Sequence, residues 1–220
     1  MPEIAFFRLE HTLARRSAAG CAAFLALRQA SPWSRLSRLA AVGASLPLAA
    51  AVGPLDAFRP TRMLWRPLKG CSEDRLAVLC EDWWAEELNK SWNEAGLKLL
   101  DRCRAAGMKI VLLSDQPRQA VGPAVDHLGA DALLCNQLEV VHGEVTGALV
   151  EPVFTGRFDG GLLRAHAERM GCDPGSVVAY GSSGEDATLL SGARRPCAVT
   201  PDGALRRLAR ELDWPVVEVG

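Results

Sequence analysis

The chain has 220 residues, 49% of them hydrophobic and 23% charged, with a formal net charge of −1 and a pI near 6.4. That length allows one domain plus an insertion, and the charge balance excludes a general nucleic-acid binder. Seven cysteines (Cys21, Cys71, Cys80, Cys103, Cys135, Cys172 and Cys197) are scattered without a C-x-x-C pair, so reduced, buried thiols are expected rather than a zinc cluster.

Met1-Pro2-Glu3 is acidic and the first apolar run is short, so no secretory signal is expected and a cytoplasmic protein is the reading. Ile4 to Leu9 is an apolar run that breaks into a polar turn, as a buried first strand of a parallel sheet does. Ligands in open α/β sheets bind at the carboxyl ends of strands, which places Arg8, Glu10, His11 and Thr12 where chemistry is expected. Ala14 to Gln29 reads as a helix, broken by Ser31-Pro32-Trp33-Ser34. Leu39 to Leu55 then carries no charge over seventeen residues, with Arg35 and Arg38 before it and Arg59, Arg62 and Arg66 after it. Two readings of this segment stand: a pair of buried cap helices joined near Pro47, or a surface pair that touches lipid with arginines at the headgroups. The run is too short and Pro-broken for a spanning helix, which needs about 20 apolar residues.

Helices continue to Ala95, with Ser72 as the N-cap of one that begins Glu73-Asp74 and with Trp83, Trp84, Leu88 and Trp92 at helical spacing. A helix over Leu97–Ala106 ends at Gly107, and a strand over Lys109–Leu113 ends in the turn Ser114-Asp115-Gln116-Pro117. A helix over Gln119–Leu128 ends at Gly129. A strand follows at Ala132–Cys135, then a hairpin of Leu138–Val141 and Leu149–Phe154. Further elements are a helix over Leu162–Met170, strands at Val177–Tyr180, Pro196–Thr200 and Trp214–Val219, and helices from Asp186 and over Leu205–Leu212. Strand and helix alternating in this way predict an α/β fold, a parallel sheet with helices on both faces.

Several stretches together carry a family resemblance. Phe6-Phe7-Arg8-Leu9-Glu10-His11-Thr12-Leu13 resembles the first motif of the haloacid dehalogenase (HAD) phosphatases, F-F-D-x-D-x-T-L. Val111-Leu112-Leu113-Ser114 is similar to their second motif. Val141 to Gly147 is similar to their d-G-x-x-T-G hairpin, Ala179 to Asp186 to their Y-G-D-S-x-x-D motif, and Ala198 to Asp202 with Trp214-Pro215 to their tail. The resemblance is to the phosphoserine-phosphatase-like subgroup. It implies a HAD-like Rossmannoid core at 1–15 and 94–220, with a helical cap inserted at 16–93.

The resemblance also implies roles for single residues. The first-motif aspartate is the family's nucleophile, and Arg8 stands in its place; a protonated guanidinium has no lone pair for that step. Glu10 stands where the family has its general acid and base, and Ser114 where it binds a phosphate oxygen. Asp159 falls where the third-motif lysine is expected, with Arg157 nearby. Ser182 replaces a metal-binding aspartate, and Asp186 survives. Magnesium prefers an octahedral oxygen site with anionic ligands, so no cofactor is expected; a retained Mg2+ would use Glu10 and Asp186. Arg8 is expected to pair with one or more of Glu10, Asp159, Glu185 and Asp186, or to build an anion receptor with Ser114, Ser182 and Ser183. Asp115 and Gln116 border the same pocket.

The function expected is that of a catalytically disabled HAD phosphatase-like protein with a binding or regulatory role. Its partner would be a small anion or phosphate-bearing ligand, or a protein. The alternatives are a phosphatase acting on a phosphoserine-like or lipid phosphomonoester with Mg2+, and a peripheral membrane adaptor acting through Leu39–Leu55.

Overall fold

The structure, a computed structural model, describes residues 1–28, 59–156 and 158–218. The apolar Leu39–Leu55 segment, its flanking Arg35 and Arg38, and Arg157 lie outside the described residues.

A six-stranded sheet forms the centre, in the order β3-β2-β1-β6-β7-β8. The strands are β1 (Ile4–Arg8), β2 (Lys109–Pro117), β3 (Ala132–Asn136), β6 (Val177–Gly181), β7 (Arg195–Val199) and β8 (Val216–Val217), and every pairing is parallel. β1 sits between β2 and β6, and all five of its residues are buried. A strand covered on both faces reads as a continuous apolar run, which is why β1 was legible.

Alternation sorts that run into two layers. Ala5 and Phe7 join a buried cluster with Ile110 and Leu112, and Phe7 stacks on Tyr180 at 4.2 Å between ring centroids. Ile4 and Phe6 join the opposite cluster with Val111, Leu113 and Leu163. The first layer is covered by α1 (Ala18–Leu27), α3 (Glu73–Glu86) and α4 (Glu94–Ala105); a short α2 (Arg59–Leu64) precedes α3. Leu25, Trp65, Leu68, Leu79 and Trp83 therefore share one buried cluster with the sheet. The short helices α5 (Arg118–Val121) and α6 (Ala124–Leu128) add Ala120, Val121, Ala124 and Leu128 to that first layer, and the second layer is covered by α7 (Gly160–Arg169), α8 (Ala187–Ser191) and α9 (Gly203–Glu211). No helix among the described residues is long and apolar enough to cross a membrane. No disulfide forms among the described residues.

Several boundaries differ from the sequence reading. The first helix starts at Ala18, not Ala14: Ser17 caps it by accepting a hydrogen bond from the Gly20 amide, while Ala14 bridges to Glu10 and Trp92. β2 runs on through Ser114-Asp115-Gln116-Pro117, because it pairs with β3 as far as Pro117–Asn136. Gly122-Pro123 splits the expected Gln119–Leu128 helix into α5 and α6. In the hairpin, β4 (Leu138–Val141) turns at His142-Gly143, both at positive φ, directly into β5 (Glu144–Leu149). A two-residue turn of this kind matches strand twist, so the second strand begins earlier than expected.

The loop after β1 is pressed against α4. A β-carbon on Gly96 would lie 2.1 Å from the Thr12 carbonyl oxygen, and Asn93, the N-cap of α4, donates from Nδ2 to the His11 carbonyl and to Thr200 Oγ1. Gly96→Ala gains helix propensity but meets rigid backbone, so a net destabilisation of about 1–3 kcal/mol is expected in thermal or urea unfolding. An alanine variant as stable as the parent would show that this loop is not pinned there.

Candidate functional site

Arg8 is the last residue of β1, at the carboxyl edge of the sheet, and its side chain is 3% exposed. Alternation carries it toward the second layer, where its guanidinium lies 5.2 Å from the centre of the Phe158 ring. Its long stem brings the guanidinium beside the carboxyl end of β2 and the loop that follows β6, and three carboxylates surround it. Asp115 takes it in a two-pronged arrangement, Nη1 to Oδ1 at 3.1 Å and Nη2 to Oδ2 at 3.0 Å. Asp186 Oδ1 lies 2.9 Å from Nε and Glu10 Oε2 lies 3.3 Å from Nη2, both as ion pairs without the alignment of a hydrogen bond. Paired forks between a guanidinium and a carboxylate are the strong form of this contact.

Glu10 and Asp186 are held from behind. Glu10 Oε1 accepts from the Ser114 hydroxyl at 2.6 Å, from Gln116 Nε2 at 3.1 Å and from the Asp115 amide at 3.3 Å. Gln116 is itself held by Trp83 of α3, whose indole Nε1 donates to Oε1 at 3.1 Å, so α3 fixes which end of the amide faces Glu10. Asp186 Oδ2 accepts from the backbone amides of Ser182 at 2.8 Å and Ser183 at 3.0 Å. Gly181 admits it closely: a β-carbon there would stand 2.6 Å from that of Asp186. Asn136, at the end of β3, donates to the Asp115 and Phe154 carbonyls at 2.7 and 2.8 Å and so ties the backbone of Asp115 to that of Phe154.

Burial by itself would lower the Arg8 pKa, but the Asp115, Glu10 and Asp186 carboxylates outweigh it and raise the value, so the guanidinium stays charged at every accessible pH. Burial raises the pKa of Asp115; Arg8 pulls it down and Glu10 pushes it up again.

The structure thus brings Arg8, Glu10, Ser114, Asp115, Ser182, Ser183 and Asp186 to one place. Two expected partners of Arg8 are elsewhere. Asp159 is the N-cap of α7, accepting from the Leu162 amide at 2.9 Å. Glu185 is exposed on the loop after β6 and makes no ion pair with Arg8. The expected anion receptor is not assembled among the described residues. Arg8 faces carboxylates, the Ser114 hydroxyl donates to Glu10, and the Ser182 hydroxyl donates to the Val199 carbonyl at 2.5 Å. Asp115 as the main partner of Arg8, and the Trp83–Gln116–Glu10 chain of hydrogen bonds, were not anticipated. The usable signal was Ser114-Asp115-Gln116, polar residues directly after a buried apolar strand.

The magnesium ion implied by the family resemblance does not fit these residues. Oδ2 of Asp186 and Oε1 of Glu10 accept from protein donors, while Oδ1 of Asp186 and Oε2 of Glu10 are ion-paired with the Arg8 guanidinium, which lies among all three carboxylates. An octahedral ion would need those oxygens at about 2.0–2.1 Å with no cation between them.

Comparison with known proteins agrees with the fold. The sequence profile of the haloacid dehalogenase-like hydrolases matches residues 5–191. The chain is 30% identical over 151 residues to "Phosphoserine phosphatase SerB1" of Mycobacterium tuberculosis, covering 68% of this chain and 48% of that protein. It is 28% identical over 156 residues to "Inhibition of morphological differentiation protein" of Streptomyces azureus, covering 65% and 56%. The chain thus spans about half the length of these curated relatives. Among solved structures, a protein of unknown function from Bordetella pertussis Tohama I superposes with a TM-score of 0.81 at 23% identity, covering 99% of this chain and 98% of that one. A phospho-aspartyl intermediate analogue of phosphoserine phosphatase superposes with a TM-score of 0.69 at 17% identity, covering 99% and 93%. With its motifs in family order on a six-stranded parallel sheet, the chain belongs to the haloacid dehalogenase-like hydrolases.

Proposed function

We propose that this HAD-family chain does not hydrolyse phosphomonoesters through an aspartyl-phosphate and acts instead by binding. One observation carries the reading: the position of the family's nucleophile holds Arg8, whose guanidinium is fixed by Asp115, Glu10 and Asp186. A carboxylate nucleophile forms the phospho-enzyme bond with an oxygen lone pair, and a charged guanidinium has none to give. The same guanidinium supplies, as a tethered charge, the cation that a carboxylate cluster at this depth requires.

The reading is tested by metal. With ionic strength matched, magnesium titrated to millimolar concentrations is expected to leave the melting temperature unchanged, since a ligand bound only by the native state would raise it. A saturable rise that disappears in Asp186→Asn would contradict it.

A second reading, a phosphomonoesterase, is favoured by the relatives named phosphoserine phosphatase. In it Glu10 is the group placed for proton transfer, because its Oε2 has no hydrogen-bond partner. The two readings separate on turnover alone.

A further inference from the structure

Charge is unevenly spread along this chain. Residues 29–72 carry six basic side chains, Arg35, Arg38, Arg59, Arg62, Arg66 and Lys69, against one acid, Asp56, a formal +5 in a chain of net −1. Of the six, the side chains of Arg62, Arg66 and Lys69 are described, and all three are exposed. Spacings of four and three put them on one side of α2 and of the single 3₁₀ turn Arg66–Leu68 that follows it, while Trp65 and Leu68 are fully buried.

This basic face is fixed on β5. The Gly70 amide donates to the Val145 carbonyl and the Val145 amide to the Cys71 carbonyl, both at 2.8 Å. Gly147, at a φ of +82°, lets the turn come close: a β-carbon there would lie 3.2 Å from the Arg66 α-carbon and carbonyl oxygen. Arg62, Arg66 and Lys69 border, with β5, a groove of about 420 Å³ in which Glu151 is the one acid among the described residues. Glu151 pairs with Arg62 at 2.5 Å, but the two side chains are 67% and 51% exposed, where an ion pair contributes little. Arg66 and Lys69 form no ion pair with a described residue. Their charge is therefore open to a partner.

We propose that this face docks on an anionic phospholipid surface. Charge complementarity supplies the attraction, since clusters of about four to eight basic residues draw a chain to anionic headgroups. The neighbouring sequence favours lipid over a soluble polyanion. Leu39–Leu55 carries no charge over seventeen residues, Arg35 and Arg38 precede it, and the chain returns to the described residues at Arg59, directly before the basic face. A polyanion would need the charges alone, whereas uncharged sequence bounded by arginines on both sides is the pattern of a headgroup boundary. The contact itself is assigned to Arg62, Arg66 and Lys69. It extends the binding role above without resting on it, since none of the three pairs with the Arg8 cluster.

The test is co-sedimentation of the whole chain at low ionic strength with vesicles of about three parts phosphatidylcholine to one of phosphatidylserine, beside vesicles of phosphatidylcholine alone. Binding to the first and not to the second is expected, and it should weaken as salt is added. Arg66→Gln with Lys69→Gln should weaken it about tenfold or more, since each basic residue at such a surface contributes about fivefold. Arg66→Lys, which keeps the charge, should retain it. Arg207→Gln with Arg210→Gln removes the same charge from exposed positions on α9 and should leave binding nearly unchanged. Absence of binding to the anionic vesicles, equal binding to the neutral ones, or an equal loss in the two double variants would each overturn the proposal. Tighter binding of polyglutamate than of vesicles, lost in the Arg66, Lys69 variant, would assign the face to an acidic protein and overturn it as well.

Discussion

Arg8→Ala is expected to lower the unfolding free energy by about 3–5 kcal/mol at pH 7, the usual effect of removing one partner from a buried ion pair. Three carboxylates then remain at the carboxyl edge of the sheet with no cation among them, and two of them, Glu10 and Asp186, are 5% and 1% exposed. The response of Asp115 fixes the pH dependence. Burial raises its pKa and Arg8 pulls it down, so removing Arg8 leaves a raised carboxyl, and such a group favours the folded state only once protonated. The deficit should therefore be largest at neutral pH and shrink as the pH falls toward the raised folded-state value. Urea unfolding of parent and variant at pH 7 and pH 5 measures both the size and the sign. Arg8→Lys should recover part of the loss, since an ammonium restores the charge but not the two-pronged contact with Asp115. A deficit below about 1 kcal/mol at pH 7, in the range of an exposed ion pair, would mean the cluster is not a buried network.

Much of this was legible in the sequence because one-dimensional signals have local causes. β1 is buried on both faces, so Ile4 to Phe7 read as a strand, and Gly107 and Gly129 closed helices at positive φ as glycines do. Ser72 as a helix cap was equally local, its side chain accepting from the Arg75 amide. Arg8 at the head of the site followed from its place at the end of that strand. What was missed depends on packing. That Arg8 would reach Asp115 rather than Asp159 depends on how the end of β2 lies beside β1, a register that spacing does not encode. Asp159 was misplaced because its capping signal was overlooked: it precedes Gly160-Gly161-Leu162 at the start of a helix. The Trp83–Gln116 contact joins residues 33 positions apart and is set by how α3 lies on the sheet. β2 outran its expected end because pairing with β3 overrode the turn preference of Ser114 to Pro117.

Phosphomonoester hydrolysis is the second expected result with a large magnitude. Removing one member of a cooperating catalytic set commonly costs about 10⁴–10⁶ in rate, and here the position of the nucleophile itself is held by Arg8, with three carboxylates against it. The residual chemistry available to Glu10 is proton transfer, typically about 10²–10⁴-fold and dependent on a nucleophile that Arg8 does not provide. Arg8→Asp alone should not restore turnover, because Ser182 still stands where the family has a metal-binding aspartate; Arg8→Asp with Ser182→Asp is the smallest change that returns both carboxylates.

The most direct measurement is therefore the rate of phosphate release from O-phosphoserine and from p-nitrophenyl phosphate by the purified chain with millimolar magnesium, with and without chelator. The expected result is a rate indistinguishable from the protein-free control in both conditions. Turnover of about one per second or more, abolished by the chelator, is within the ordinary range for enzymes. It would contradict the assignment of Arg8 as the residue that closes the phospho-enzyme route.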